Sequence, residues 1–487
     1  MGQPSTSPRQ GAHVTPPRRQ PARRRGTAFG RRAVLATVPV AVAALVGAAA
    51  PAGTGTTGAA GAGDPYFPLS GNGGYHVRHY DLTLRYRSGG RLTGTAVLTA
   101  RATQPLTRFD LDLKGLTVDG VTVDRTAATA VERSGQELVV TPRHALRAGH
   151  DFTVTVRYHG TPKPVTDPDG SADGWIPTDD GAFVANEPQG AMTWFPANAH
   201  PKDKSSYDFT ITVPKGRTAV ANGVLLGQRT AGGETTFRWR ETQPMAAYLA
   251  TATIGTFQVH RYTTRDGIQV YDAVDPREAE AAAPVLAKLP SVLEWESKLF
   301  GPYPFTSAGS IVDHADVGYA LETQTRPLYD SAPGLLTLVH ESAHQWYGDS
   351  VSLTSWKDIW LNEGFATYAE WLYSEQHGGA SAQKTFDALY ARPADDGLWA
   401  YPPGDPGSGE NIFGTPVYDR GAMALHELRK TVGDPAFFRI LRAWATGHRD
   451  GHGTTAQFVR LAEKESGKRL DSLFHTWLFT KGKPNRG

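Results

Sequence analysis

The sequence predicts an α+β protein in which an antiparallel β domain precedes a mainly helical domain. Short segments in which polar and apolar residues alternate with a period of two occur between about residue 75 and residue 262. Beyond that point the segments become longer and rich in Ala, Leu and Glu, which is typical of helices. Glycine and proline together make 87 of 487 residues, and this excess over average proteins favours turns and strands over an all-helical bundle.

The first 63 residues predict an export signal followed by a flexible linker. They contain eight arginines and no Asp, Glu or Lys, and the arginine pair at 31–32 directly precedes an apolar, alanine-rich run at 33–50. A basic region, an apolar region and the small residues A-P-A at 50–52 are typical of a signal peptide, of the general secretory or the twin-arginine kind. The Gly, Ala and Thr residues at 54–63 predict a disordered linker.

The alternative for the apolar run is an uncleaved membrane anchor, because 18 such residues just span a bilayer. Alanine and glycine are poor bilayer residues, which favours cleavage and a secreted protein. Removal of the eight arginines leaves 42 Lys and Arg against 48 Asp and Glu, so the formal net charge changes from +2 to −6. The sequence therefore predicts a mildly acidic mature protein with no stable membrane partner.

The β domain is predicted over residues 64–262 and the helical domain over residues 263–487. Alternating patterns predict strands at 80–86, 152–158, 209–213 and 235–239. Helical patterns predict helices at 276–300 with a break at Pro290, and at 335–347, 361–373, 421–432 and 455–466. The chain contains no cysteine, so any metal site must use His, Asp or Glu. No basic stripe with interleaved aromatic residues occurs beyond the signal, which argues against nucleic-acid binding.

Residues 340–344 read H-E-S-A-H within a predicted apolar helix. On a helix, positions i and i+4 share a face, so the imidazoles of His340 and His344 can point at one metal ion. Glu341 lies about 100° around the helix from His340, close enough to act on water at the ion without binding the ion itself. The alternative is a pair of helix-face histidines beside a solvated glutamate.

The sequence downstream favours the metal site over that alternative. Eighteen residues separate His344 from Glu363, which lies in W-L-N-E-G-F-A and in a second predicted helix. Two imidazoles and one carboxylate leave a fourth position for water, as catalytic zinc requires. The sequence therefore predicts one Zn²⁺ per chain, bound by His340, His344 and Glu363.

These motifs resemble those of the M1 zinc aminopeptidases, which belong to the gluzincin metallopeptidases. H-E-x-x-H followed by eighteen residues and W-L-N-E-G-F-A carries most of the resemblance, and F-G-P-Y-P-F at 300–305 and W-F-P at 194–196 extend it. The resemblance implies a saddle-like β domain followed by a thermolysin-like catalytic domain, and Glu341 as the general base. The chain ends soon after residue 478, where many relatives add a large helical domain, so it resembles a short form.

The resemblance also implies residues that bind the substrate and stabilise the transition state. Y-A-L-E-T at 319–323 resembles the family's G-A-M-E-N, with Ala320 and Glu322 matching. The matching glutamate binds the substrate's free α-amine, since an ammonium needs a fixed carboxylate. Tyr418 in Y-D-R-G resembles the family tyrosine whose hydroxyl stabilises the oxyanion. The alternatives are a surface carboxylate for Glu322 and a packing role for Tyr418.

One family feature is replaced. The family often places a glutamine near the substrate amine, whereas this chain has N-E-P at 186–188 in that region. Glu187 is therefore predicted to supply a second carboxylate to the amine, with an ordinary loop acid as the open alternative.

The sequence as a whole predicts a secreted zinc aminopeptidase that hydrolyses the N-terminal bond of peptides with a free N-terminus. An endopeptidase and an epoxide hydrolase, an activity of some relatives, are alternatives within the same architecture. A non-catalytic, zinc-stabilised binding protein is the third alternative. The presence of both Glu341 and Tyr418 argues against it.

Overall fold

The computed structural model describes residues 55–485. The predicted signal peptide lies outside the described residues. Within the described range, the helices are all too short or too polar to cross a membrane.

The strands and helices follow the predicted order, with the strands concentrated in the first half. The strands are β1 Thr56–Thr57, β2 Tyr75–Arg87, β3 Arg91–Ala102, β4 Leu106–Asp112, β5 Thr117–Val123, β6 Thr126–Ala127, β7 Ala130–Ser134, β8 Glu137–Thr141, β9 Asp151–Gly160, β10 Val165–Thr166, β11 Ala172–Pro177, β12 Ala182–Ala185, β13 Lys204–Pro214, β14 Thr218–Ala221, β15 Val224–Ala231, β16 Glu234–Ala246, β17 Ala252–Gly255, β18 Gln258–Thr263, β19 Gln269–Val274, β20 Ser307–Val312, β21 Ala320–Leu321, β22 Leu328–Tyr329, β23 Val351–Leu353 and β24 Gly451–Gly453. The helices are α1 Ala279–Leu286, α2 Leu289–Phe300, α3 Leu335–His344, α4 Trp360–Gln376, α5 Ala382–Tyr390, α6 Gly421–Val432, α7 Asp434–Gly447, α8 Thr455–Ser466 and α9 Asp471–Phe474.

The β domain is built on one long sheet with two smaller sheets beside it. The long sheet has the order β15-β16-β13-β2-β3-β9-β5-β6, and its neighbours run antiparallel except β13 and β2, which are parallel. Strands β2 and β13 are far apart in the chain, and only such distant strands can pair in parallel. The side chains of β2 alternate between buried and exposed, as the period-two pattern predicts.

The predicted flexible linker is wrong for residues 56–63. Strand β1 pairs in parallel with β4, and the Lys202 ammonium donates a hydrogen bond to the Ala62 carbonyl (2.6 Å). A Cβ atom on Gly58 would lie 2.7 Å from the carbonyl oxygen of Gly73, so only glycine fits there. The small residues that suggest flexibility in the sequence instead let this segment lie close against the β domain.

The predicted domain boundary after residue 262 lies within β18. Strand β18 pairs antiparallel with β19, and both belong to a sheet of order β18-β19-β20-β22-β21 that packs in the second domain. The β domain therefore ends with β17. Alternation shows that a segment is a strand but carries no information on which sheet it joins, and this accounts for the difference.

The helices of the second domain match the prediction most closely where their ends carry strong signals. Helices α6 and α8 have the predicted bounds, and α8 begins with a capping box formed by Thr454 and Gln457. The predicted break separates α1 from α2, with Pro290 in the first turn of α2. Helices α5 and α7 are present although the sequence analysis does not predict them.

A buried lysine joins the two domains behind α3. Lys204 on β13 donates hydrogen bonds to the carbonyls of Asp349 (2.7 Å), Ser350 (2.9 Å) and Gly451 (3.2 Å). Burial lowers the pKa of this ammonium to about 8. Because the carbonyls belong to the loop after α3 and to β24, this contact fixes the end of α3 relative to the β domain.

Candidate active site

Helix α3 presents the two histidines of the H-E-x-x-H motif on one face. Leu338, Val339 and Ala343 of this helix are buried in the core, and their packing fixes the rotation of the helix about its axis. The imidazole rings of His340 and His344 consequently lie side by side, with their centroids 4.8 Å apart.

Helix α4 brings Glu363 to both histidines. Its Oε2 atom lies 3.3 Å from Nε2 of His340 and 3.4 Å from Nε2 of His344. The possible ligand atoms of the three residues all lie within 4.8 Å of one another. The structure thus brings together the three residues that the sequence predicts as metal ligands.

The other nitrogen of each imidazole has a partner that orients the ring. Nδ1 of His340 lies 2.7 Å from the carboxylate of Glu370, and Nδ1 of His344 donates to the carbonyl of Tyr347 (3.0 Å). Burial works to lower the pKa of both imidazoles, but the surrounding carboxylates raise it above its usual range. A bound metal ion would replace the proton on each Nε2, and the Nδ1 partners would keep the rings directed at the metal. Two imidazole nitrogens and one carboxylate, held in this way beside an open cavity, fit a catalytic zinc ion.

Glu370 is a residue that the sequence analysis does not identify. It lies seven residues after Glu363 on α4, and seven residues make about two turns of a helix. Both side chains therefore lie on one face of α4. The seven-residue spacing is visible in the sequence and is a signal by which Glu370 could be identified.

The pKa values of two carboxylates in the site, Glu363 and Glu341, are shifted in opposite directions. Burial works to raise the pKa of Glu363, but the charge on His344 and hydrogen bonds to both histidines lower this pKa to about 2. Burial raises the pKa of Glu341 to about 7, against the opposing charges of His340 and His344. Glu363 therefore remains an anion, whereas Glu341 can both accept and release a proton near neutral pH.

Glu322 lies at the end of an edge strand that borders the cavity. Strand β21 pairs with β22 on one side and forms the edge of its sheet. The Glu322 side chain is 2% exposed, and its Oε1 atom has no hydrogen-bond partner among the described residues. Ala320, on the same strand, is half-buried and also lines the cavity. Both residues are therefore placed where a bound molecule would contact them.

The loop after Glu322 is anchored to α3 through Gln345. The Gln345 side chain donates to the Glu322 carbonyl (3.1 Å) and accepts from the Thr325 amide (2.7 Å). Thr325 has φ 66°, a conformation that is rare for a β-branched residue. Its hydroxyl accepts from the Gly223 amide of the β domain (2.8 Å). The loop is thus held by both domains, and no sequence motif marks Gln345 or Thr325 for this role.

Tyr418 lies beside His340 in a π-helical turn that leads into α6. Its ring is nearly parallel to the His340 imidazole, with the centroids 6.0 Å apart and the planes at 20°. Helices α4 and α6 approach closely at two glycines, since a Cβ atom on Gly364 would lie 3.0 Å from Cα of Gly421. Because Gly364 follows Glu363 directly, this close approach places Tyr418 next to the predicted metal ligands His340, His344 and Glu363.

Glu187 lies in the same cavity, on the turn after β12. One of its carboxylate oxygens lies within 4.8 Å of those of Glu322 and Glu363, and its Oε1 atom has no hydrogen-bond partner among residues 55–485. Burial, together with the negative charges of Glu322 and Glu363, raises the pKa of Glu187 well above its usual range. Three carboxylates around one point favour a cation at that point.

These residues line a cavity of about 600 Å³ between the two domains. The acidic side chains on its wall are Asp169, Glu187, Glu322, Glu341, Glu363 and Glu370. In the described part of the chain, no lysine or arginine lines it. A larger cavity of about 1080 Å³ lies beside α8 and α9, and none of the predicted site residues lines that one.

Comparison with known sequences gives matches in both domains. Residues 76–249 match the Peptidase M1 N-terminal domain, and residues 321–477 match the Peptidase family M1 domain. The chain is 25% identical to Aminopeptidase M1 of Arabidopsis thaliana over 331 residues, which cover 62% of this chain and 37% of that protein. It is 24% identical to Aminopeptidase N of Streptomyces lividans over 413 residues, which cover 76% of this chain and 46% of that protein. The chain thus spans less than half the length of these relatives.

Comparison with solved structures gives matches over nearly the whole length of the other chain. A variant of an M1 zinc metallopeptidase from Deinococcus radiodurans, bound to a Tyr-Ser-Ala substrate, has a TM-score of 0.80 and 28% identity. That match covers 88% of this chain and 99% of the other. A two-domain M1 zinc metallopeptidase variant bound to L-arginine also has a TM-score of 0.80, with 29% identity over 87% of this chain and 99% of the other. These matches confirm the predicted fold class, a β domain followed by a mainly helical domain.

Proposed function

We propose, from the premise that this chain belongs to peptidase family M1, that it is a zinc-dependent aminopeptidase that removes the N-terminal residue of peptides. The observation that carries the proposal is the position of two spare carboxylates, Glu322 and Glu187, beside the group His340, His344 and Glu363. A metal site with an adjacent amine site is what cleavage of the first peptide bond requires. The aminopeptidase names of the relatives support the proposal.

Glu341 is the proposed general base and acid. His340, His344 and Glu363 would hold the zinc ion, which when bound polarises the scissile carbonyl and acidifies water. Glu341 accepts a proton from the attacking water and delivers a proton to the leaving amine. Burial works to raise the pKa of this carboxyl above its usual range, which favours acceptance of a proton.

Tyr418 is the proposed donor to the oxyanion. Burial, together with the nearby carboxylates Glu363, Glu187 and Glu322, raises the pKa of its phenol well above the usual range. The hydroxyl thus keeps its proton at neutral pH and can donate a hydrogen bond to the charge that develops on the carbonyl oxygen.

Glu322 and Glu187 are proposed to hold the α-ammonium of the substrate, and Ala320 its backbone. An edge strand offers unpaired backbone groups to which an extended peptide can add as a further strand. Strand β21, which contains Ala320, is such an edge. With the ammonium held at Glu322, the first peptide bond is the one placed at the metal site.

Glu322→Gln tests this assignment. We expect it to lower kcat/KM for a free-amine aminoacyl 4-nitroanilide by about two orders of magnitude, because a buried charged hydrogen bond to the ammonium is lost. The matched control is Glu137→Gln, which changes a buried carboxylate on β8 outside the cavity. Equal cleavage of free and N-acetylated peptides by the unmodified protein would instead indicate an endopeptidase.

We also propose that the segment before residue 55 directs export and is then removed. Support comes from the arginine pair and apolar run at 31–50, and from the pairing of β1 with β4, which makes residue 56 onward part of the folded domain. N-terminal sequencing of the protein from the culture medium is expected to give a start between residues 33 and 55. An intact N-terminus on protein retained in the membrane fraction would indicate the anchor alternative.

A further inference from the structure

We propose that the cavity selects peptides whose first residue has a cationic side chain, arginine or lysine, and that Asp169 of the β domain recognises this side chain. The inference rests on the proposed aminopeptidase function and names the substrate class for it. Asp169 would then determine specificity without contacting the peptide bond that is cleaved.

The first observation is the excess of negative charge in the cavity. Six acidic side chains line it, and no lysine or arginine of the described chain does so. A zinc ion and one α-ammonium together supply three positive charges, half the number of carboxyl groups that line the cavity. A third cationic group is therefore attracted to the cavity, and an acidic side chain is repelled from it.

The second observation is that the inner end of the cavity has acceptors that the protein itself does not satisfy. The Oε1 atoms of Glu322 and Glu187 are buried and have no hydrogen-bond partner in the described part of the chain. A buried carboxylate without a partner is costly unless a ligand supplies a donor. These two groups hold the ammonium, so the side chain of the first residue must extend away from them along the cavity wall.

Asp169 lies on that wall in the short loop between β10 and β11. Its Oδ1 atom accepts hydrogen bonds from the Ser171 amide (2.9 Å) and the Ser171 hydroxyl (2.7 Å). Asp169 is exposed, and these two bonds orient its carboxylate with Oδ2 accessible to a ligand. The five other acidic residues of the cavity already have roles at the metal, at the ammonium or with His340, so Asp169 is the carboxylate that remains.

Tyr319 links this loop to β21, the edge strand to which the substrate is proposed to add. Its hydroxyl donates a hydrogen bond to the Ala172 carbonyl (2.7 Å), and its ring meets Phe183 edge to face, with centroids 6.3 Å apart. Tyr319 directly precedes Ala320 and also lines the cavity. Tyr319, Glu322 and Asp169 line the same cavity, so we expect a long side chain on the first residue to pass Tyr319 and reach Asp169.

The test compares arginine with citrulline, its neutral isostere, as the first residue. We would measure kcat/KM of the zinc-loaded protein for arginyl, citrullinyl and leucyl 4-nitroanilides. The expected Arg-to-citrulline ratio is about ten or more, and it should fall as salt is added. In Asp169→Asn, which keeps the acceptor for Ser171, kcat/KM for the arginyl substrate should fall about fivefold more than kcat/KM for the citrullinyl substrate, so the ratio falls about fivefold. The control Asp266→Asn, in the exposed turn between β18 and β19, should leave the ratio unchanged.

Three results would overturn the inference. They are equal values for arginine and citrulline, a high ratio that Asp169→Asn does not change, and an equal loss for both substrates in Asp169→Asn, which would indicate a structural role. If none of the three substrates is cleaved, the proposed aminopeptidase function itself fails. Cleavage of leucyl and citrullinyl substrates without a preference for arginine removes only the present inference.

Discussion

Glu341→Gln is expected to lower kcat for an aminoacyl 4-nitroanilide by about 10²- to 10⁴-fold, the usual contribution of a general base, while the protein still binds one zinc ion. The amide has the shape of the carboxylate but cannot accept a proton from water. Zinc stays bound because the predicted ligands His340, His344 and Glu363 are unchanged. Steady-state kinetics and the zinc content of the dialysed protein measure the two halves of the prediction.

Comparing activity with zinc content distinguishes a general-base role of Glu341 from a role in metal binding or in stability. Glu137→Gln, with a buried carboxylate in the β domain, should keep both activity and zinc and so controls for a general loss of stability. A wild-type rate in Glu341→Gln would show that another group moves the proton. Loss of zinc together with activity would show that Glu341 supports the metal site instead.

Tyr418→Phe is expected to lower kcat by about 10²- to 10³-fold and to leave KM nearly unchanged, as loss of one oxyanion donor does. The substitution keeps the ring that packs against His340 and removes only the hydroxyl. Steady-state kinetics with the same 4-nitroanilide measure the effect. Tyr401→Phe is the matched control, because the Tyr401 hydroxyl donates to the Asn411 carbonyl (2.9 Å) outside the cavity.

The division between kcat and KM decides the role of this tyrosine. An interaction made only in the transition state changes kcat, whereas one made equally in the bound substrate changes KM. A raised KM with unchanged kcat in Tyr418→Phe would therefore indicate that the hydroxyl binds the substrate and does not stabilise the oxyanion.

The sequence predicts the parts of the site that depend on local geometry. The shared face of His340 and His344 follows from the period of the helix alone, and the structure shows both on α3 with the rings side by side. Glu363 is predicted from its spacing and its family motif. Its distance from the histidines depends on how α4 packs against α3, and no local sequence pattern determines that packing.

The parts that the sequence does not predict depend on contacts between distant segments. Gln345 fixes the Glu322 loop through hydrogen bonds to two residues about twenty positions away, and no motif marks it. Segment 56–63 has the composition of a linker but pairs with β4, because the fit of Gly58 against Gly73 is visible only in three dimensions. Helix α7, in contrast, has a clear apolar face with Phe437, Ile440 and Leu441, so the helical signal is present in its sequence.

The central claim is that a zinc site and an α-amine site lie side by side and together select the first peptide bond. Mass spectrometry of the products formed from one peptide, in its free and its N-acetylated form, tests this most directly. We predict that the zinc-loaded protein removes single residues from the N-terminus of the free peptide, that the acetylated peptide stays intact, and that a chelator stops the reaction until zinc is added back. Cleavage of the acetylated peptide at an internal bond, at the rate seen for the free peptide, would contradict the account.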